Sequence, residues 1–153
     1  MRKSLILNSI NHTLKLNKNK YESEMQVRPD DIDMFRHVHS SRYIDYVLAA
    51  RYDQMGRCYG MPMEEFLQNG FGWVIVSTHM EFKRPLKLGD YFVVSTQLVH
   101  FEKHTAKVDF EILKKEGMKL CCTGHFDYTM IDMATGRAAA LPDWIIERYS
   151  LPE

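Results

Sequence analysis

Two aspartates and two histidines, Asp31, Asp33, His37 and His39, stand close together just ahead of two serines and a long amphipathic run. The whole stretch, Pro29 to Met55, reads PDDIDMFRHVHSSRYIDYVLAARYDQM. A carboxylate can activate water as a general base or attack a carbonyl carbon itself. The first turn of a helix supplies unpaired N–H groups and the positive end of a dipole, which can hold a developing negative oxygen. A carboxylate delivered to a helix start is therefore equipped for hydrolysis at a carbonyl, and Asp33 is the candidate. Plainer roles compete with this one. An aspartate in an acid-rich turn is ordinarily a turn or cap residue, and Asp31 reads that way. His37 and His39 have same-face strand spacing, but no third metal ligand is evident, so no metal site is assigned. His37 reads as a packed histidine holding the loop by hydrogen bonding, and His39 equally as a polar loop residue or a substrate contact.

The elements that must position these groups follow from the patterning. Tyr21 to Arg28 alternates as a strand, ended by Pro29, with Asp30 and Asp31 as turn residues. A central helix begins near Ser40 or Ser41, either of which can cap it, and runs to about Gly56. Tyr43, Ile44, Val47, Leu48, Ala50 and Met55 recur at helical spacing, with Arg42, Asp45, Asp53 and Gln54 on the other side. Tyr43, Tyr46 and Tyr52 read as core packing. Pro62 to Gln68 forms a short second helix. Strands follow over Gly72–Phe82, Tyr91–Val99, Thr105–Leu113 and Lys119–Ile131, with turns at Pro85, Gly89-Asp90 and Glu116-Gly117. Asp143 to Tyr149 is a terminal helix. Short links place sequence neighbours side by side in one antiparallel sheet, and one apolar helix on that sheet satisfies both faces, an α+β layout. The sheet's outer face and edge then need cover, which dimer formation by edge pairing supplies.

Composition sets the limits. Lys plus Arg and Asp plus Glu both number 20, which gives no support for nucleic-acid binding. Cys58, Cys121 and Cys122 are odd in number, two of them adjacent, so they suggest no disulfide framework. Free thiols fit a reducing cytosol, and a cytoplasmic protein is expected. With no base near Cys121 or Cys122, neither is assigned as a nucleophile. No apolar run approaches the roughly 20 residues of a membrane-spanning helix. Residues 1–20, basic and free of acids, read as a frayed extension or a short added strand ahead of a single domain over 21–153.

The motif resembles that of the hotdog-fold acyl-CoA thioesterases of the 4-hydroxybenzoyl-CoA thioesterase type, closest to the branch acting on fatty acyl-CoA. Their pattern, near D-x-D-x-x-G-H-V-N-N-x-x-Y, is met by Asp31-Ile-Asp33-Met-Phe-Arg36-His37-Val38-His39-Ser40-Ser41-Arg42-Tyr43. The match continues through Ile44-Asp45-Tyr46 and Ala50-Arg51, then Glu81-Phe82-Lys83-Arg84-Pro85-Leu86 with Gly89-Asp90, and a weak echo at Thr135-Gly136-Arg137 and Leu141-Pro142. The resemblance implies a hotdog fold, a curved antiparallel sheet of about five strands around one long helix. It also implies a dimer or dimer of dimers and thioester hydrolysis at the subunit interface. By position Asp33 matches the family's catalytic carboxylate and the Ser40 backbone N–H its carbonyl contact. Read with the motif, His39 and Tyr43 are candidates to meet the substrate near the thioester, and Lys83 and Arg84, which alone read as a solvated basic pair, are candidates for the phosphates of coenzyme A. No metal or organic cofactor is required. Arg36 stands where the family usually has glycine, so a left-handed backbone there would strain the loop. His39 and Ser40 stand where Asn-Asn is frequent. These departures keep two alternatives in view: a non-catalytic acyl-thioester binder on the same fold, and a thioesterase acting on acyl carrier protein. Met55, Met61 and Met63 read as core filling or as the floor of an adaptable acyl pocket.

Overall fold

A helical period governs the middle of the chain and strict alternation the second half, and the backbone follows both. The computed structural model describes residues 14–152. Two strands, β1 (Leu14–Leu16) and β2 (Lys20–Gln26), lead through a 3-10 turn at Pro29–Asp31 to α1 (Arg42–Arg57) and α2 (Met63–Gln68). The strands β3 (Phe71–Phe82), β4 (Tyr91–Glu102), β5 (Thr105–Lys114) and β6 (Lys119–Asp132) come next, then α3 (Asp143–Arg148) and β7 (Ser150–Pro152). Alternation is cleanest in β5, where Ala106, Val108, Phe110 and Ile112 are buried while Lys107, Asp109 and Glu111 face outward. The inward set packs on α1 through Val47, Ala50 and Met55, all fully buried. Each large side chain so buried contributes about 1.5–3 kcal/mol.

The main sheet has the order β2-β4-β5-β6-β3, with antiparallel neighbours throughout. This corrects the expectation that sequence neighbours are sheet neighbours. β3 does not pair with β4; it crosses to β6, from Phe82 opposite Cys122 to Phe71 opposite Asp132. The Pro85 and Gly89-Asp90 signals belong to a crossing segment, residues 83–90, not to a hairpin. Its eight residues easily span three strand spacings of about 4.8 Å. The segment is pinned midway by Leu86, whose side chain is fully buried, whose carbonyl accepts the Val38 N–H at 2.8 Å, and whose N–H donates to the Tyr43 hydroxyl at 3.3 Å.

Three further expectations are corrected. Gln54, assigned to the polar side of α1, is fully buried, because the curved sheet covers a wider arc of helix than a single apolar stripe. Tyr52, assigned to the core, is 56% exposed, and Leu48 is 40% exposed, both on the side the sheet leaves open. The outer face of the sheet carries Lys107, Asp109, His125 and Asp127. Of the proposed N-terminal extension, residues 14–16 pair with β7 (Leu14 opposite Pro152, Leu16 opposite Ser150), and Lys20 already belongs to β2. Residues 1–13 lie outside the described residues.

Gly124 shows how closely β3 and β6 approach. It sits opposite Met80 and Phe110, and a Cβ there would meet the His79 carbonyl oxygen and come within 2.9 Å of the Phe110 ring. Glycine in a strand interior marks such a contact. Gly124→Ala should therefore lower stability by about 1–3 kcal/mol, read as a fall in the urea midpoint at unchanged slope.

Candidate active site

Asp33 builds the loop that carries it. Its N–H donates to the His37 carbonyl at 2.8 Å, and its own carbonyl accepts the Arg36 N–H at 3.0 Å. Its side-chain Oδ1 accepts the Phe35 N–H at 2.8 Å and the His37 N–H at 3.4 Å. The bridge between Ile32 and Val38 closes the base of the loop, with Val38 buried. The turn role and the chemical role thus fall on different oxygens. Oδ1 holds the loop, while Oδ2 has no hydrogen bond among the described residues, and the carboxyl is half-buried. The loop also forces Arg36 to a φ of 65°, the left-handed region. His37 holds the loop through its backbone rather than its ring.

The helix starts at Arg42, with Ser41 as its N-cap residue and no serine side chain capping it. The capping acceptor is His39 instead: its Nδ1 takes the Ser41 N–H at 3.2 Å and lies 2.8 Å from Ser41 Oγ. The Ser40 N–H donates to no protein acceptor among the described residues. Asp31, read as a turn residue, is buried: its Oδ2 accepts the Tyr46 hydroxyl at 2.8 Å, and Arg28 and Arg42 each approach it to 3.7 Å. Burial and that carboxylate both raise the Tyr46 pKa. Tyr43 is buried, edge-on to Phe82 at 5.1 Å. Burial is the main reason its hydroxyl is pushed up to about 12, and the Asp33 charge adds to the shift. Lys83 and Arg84 reach the same end of the molecule through the Leu86 anchor. Lys83 pairs with Glu81 at 3.1 Å, whereas Arg84 has no acidic partner among the described residues. Burial raises the Cys121 thiol and pushes that of Cys122 up to about 12, which leaves both un-ionised near neutral pH.

A groove of about 510 Å³ opens farther along α1, between the helix and β3. Leu48, Met63, Phe66, Trp73, Tyr128 and Met133 line it, and so does Arg51. A void of about 20 Å³ continues it inward, bounded again by Arg51, Met63, Trp73 and Tyr128, and also by Leu98 and Tyr149. Asp33 does not line this groove. Met63 reaches it, while Met55 and Met61 are sealed in the core. In the sequence Arg51 carries no assigned role beyond its place in the helix motif, and Trp73 belongs to no motif. One signal was in the sequence: Arg51 stands four residues from both Val47 and Met55, a charge inside the apolar stripe. Among the described residues no group of three His, Cys, Asp or Glu side chains is placed to hold a metal ion, His37 and His39 included. No helix among them is long and apolar enough to cross a membrane.

The model of the thioesterase-like superfamily matches residues 27–149, which spans the loop, the helix and the whole main sheet apart from β2. The chain belongs to the thioesterase-like superfamily. It is 21% identical over 131 residues to the long-chain acyl-CoA thioesterase FadM of Escherichia coli, covering 83% of this chain and 95% of FadM. Among solved structures it is similar to a 1,4-dihydroxy-2-naphthoyl-CoA thioesterase from Synechocystis (TM-score 0.73, 21% identity, 82% and 93% of the two chains). It is also similar to a hypothetical protein from Thermus thermophilus (TM-score 0.78, 23% identity, 86% and 95%). At such identities the solved structures speak to the fold, and that fold is the hotdog.

Within this thioesterase-like fold, the departure at Arg36 has a measurable consequence. A side chain in the left-handed region costs about 1 kcal/mol or somewhat more relative to glycine. Arg36→Gly should raise stability by about 1 kcal/mol, and Arg36→Val, β-branched, should lower it; chemical denaturation of the three proteins checks the order.

Proposed function

We propose that the protein hydrolyses acyl-CoA thioesters. The observation that carries this reading is that Asp33 Oδ2 and the Ser40 N–H, both just ahead of α1, each lack a hydrogen-bond partner among the described residues. A thioester carbonyl between them would have its oxygen at the Ser40 N–H, aided by the positive end of the helix dipole. Asp33 would take a proton from water as the water attacks, or attack the carbonyl carbon itself, to be released by water in a second step. The C–S bond breaks, coenzyme A leaves as a thiolate that takes up a proton, and the acyl group leaves as the free acid. His39 and Tyr43 flank the thioester in this reading. Arg84, without an acid to neutralise it, suits a phosphate better than Lys83, which is held by Glu81. That favours coenzyme A as the carrier, and turnover on matched acyl-CoA and acyl-carrier-protein thioesters decides between the carriers. The reaction as drawn uses no metal and no organic cofactor.

Asp33→Asn keeps an Oδ1 acceptor for the Phe35 and His37 N–H groups, so it tests the chemistry with the loop intact. Thiol release across a panel of acyl-CoAs should fall at least about 100-fold in kcat/KM for this variant. Unchanged turnover in both Asp33→Asn and Asp33→Ala would remove Asp33 from the mechanism. Binding across the panel with no release of thiol by the wild type would make the protein a binder instead.

Self-association belongs to the same proposal. β3 is an edge strand of twelve residues with no partner on its far side among the described residues. It exposes Val74, Val76 and Phe82 at 40%, 61% and 52%, a combination that invites pairing with a second copy. Sedimentation should give the mass of at least two chains, and Val74→Lys with Val76→Lys should shift it to that of one. A single-chain mass in the wild type would refute edge pairing.

A further inference from the structure

Arg51 is 4% exposed, on the helix face that lines the groove. No carboxylate lies within ion-pair distance of it among the described residues. Its guanidinium has five N–H donors, yet only two hydrogen bonds are formed, to Thr96 Oγ1 at 3.1 Å and to the weak acceptor Met55 Sδ at 3.4 Å. The Tyr59 ring lies 5.5 Å from its carbon centre. Buried charges are ordinarily paired, because an uncompensated one is costly. The indole Nε1 of Trp73, which lines both the groove and the void, is buried without a hydrogen-bond partner among the described residues, as is the hydroxyl of Tyr59, which lines neither. The Tyr149 hydroxyl has only Met55 Sδ, at 3.5 Å. The inner end of an otherwise apolar groove therefore gathers donors and one positive charge, with tyrosine hydroxyls as its acceptors and no anion among the described residues.

Arg51 is also held in place from behind. Thr96 Oγ1, which accepts from Arg51, donates to Gln54 Oε1. Gln54 Nε2 donates to Ser23 Oγ at 3.1 Å, and Ser23 Oγ donates to Asp53 Oδ2 at 2.5 Å. Asp53 pairs with Arg57 at the surface, at 2.8 Å. This chain fixes the guanidinium without neutralising it. Measured along α1, Arg51 lies about 15 Å from the helix start at a rise of about 1.5 Å per residue, a distance that an extended acyl chain covers when its thioester sits at Asp33.

We propose that the preferred acyl group carries a carboxylate at its distal end, taken up by the Arg51 guanidinium with the Trp73 indole N–H and the Tyr149 hydroxyl as further donors. The substrate class is then the mono-thioester of a dicarboxylic acid. This rests on the thioesterase reading for the position of the thioester, but not on turnover. The carboxylate supplies the missing charge and a stronger acceptor than a neutral hydroxyl, and the planar fork of arginine suits it in a bidentate pair. A methyl-ended chain of the same length would leave the charge and the donors buried and unpaired.

The test uses non-hydrolysable thioethers of coenzyme A in pairs of equal chain length, one ending in a methyl group and one in a carboxylate, titrated calorimetrically into the full-length protein. At the best-fitting length the carboxylate-ended member should bind at least about tenfold tighter. Arg51→Met, unbranched and similar in length, should abolish or reverse that preference. Trp73→Phe, which removes the indole donor and keeps an aromatic ring, should reduce it a few-fold and guards against failure of the Arg51 variant to fold. Equal or tighter binding of the methyl-ended member at every length in the wild type would overturn the assignment, while leaving hydrolysis of plain acyl-CoAs intact. Conversely, a carboxylate preference in binding without turnover of the matching thioesters would sustain the assignment and end the hydrolase reading.

Discussion

A helix enclosed by a curved sheet has few directions left in which to place its polar residues, and much of this molecule answers that constraint. The buried arc of α1 includes Gln54 and Arg51 as well as Val47, Ala50 and Met55. Polar groups so enclosed must find partners across the interface or remain costly. Gln54 finds them on two strands at once, Ser23 of β2 and Thr96 and Val94 of β4. That contact sets the rotation of the helix against the sheet more strictly than apolar packing alone, since methylene contacts tolerate small slips that hydrogen bonds do not. With the rotation set, Tyr43 faces Phe82 and Leu86, and Ile44, Leu48 and Tyr52 border the side the sheet leaves open.

The loop before the helix obeys a second, local economy. Asp33 uses one carboxyl oxygen and both backbone polar groups to hold five residues in a tight turn. The strain of a left-handed arginine is carried by the bridge at Ile32 and Val38 and by the Leu86 anchor. Asp31, two residues earlier, has the opposite fate. Its side chain turns inward to Tyr46 and two arginines. Two carboxylates two positions apart thus separate into a buried structural group and a half-buried one with an oxygen to spare, because Asp31 closes the 3-10 turn while Asp33 opens the tight loop that follows it.

Much of this was legible in the residues. Strand and helix limits fall within a few positions of those read from alternation and period, because β5 and α1 carry strong, uninterrupted patterns. The Asp33 loop and the free Ser40 N–H follow from a motif that packs turn, bridge and helix start into thirteen residues. The strand order was not legible: proline and glycine mark a change of direction at Pro85 and Gly89 but do not say whether the chain doubles back or crosses over. Nor was the burial of Asp31, Gln54 and Arg51, since each is satisfied or left wanting by residues distant in sequence, such as Tyr46, Ser23 and Thr96. The cap at His39 was hidden because serine is the commoner capping residue and two serines stood beside it.

The placement of β3 at the far edge has a kinetic side. β4, β5 and β6 are joined by short hairpins and can zip as they emerge, whereas β3 must wait for β6, with Phe71 to meet Asp132 and Phe82 to meet Cys122. Contacts between such distant positions close slowly, since the intervening chain loses entropy before the pairing rewards it. During that interval a twelve-residue ribbon rich in valine, isoleucine and aromatic rings is unpaired along both sides, the kind of segment that sticks to its like. During synthesis the hazard is longest, because β3 leaves the ribosome well before the strand that will shelter it.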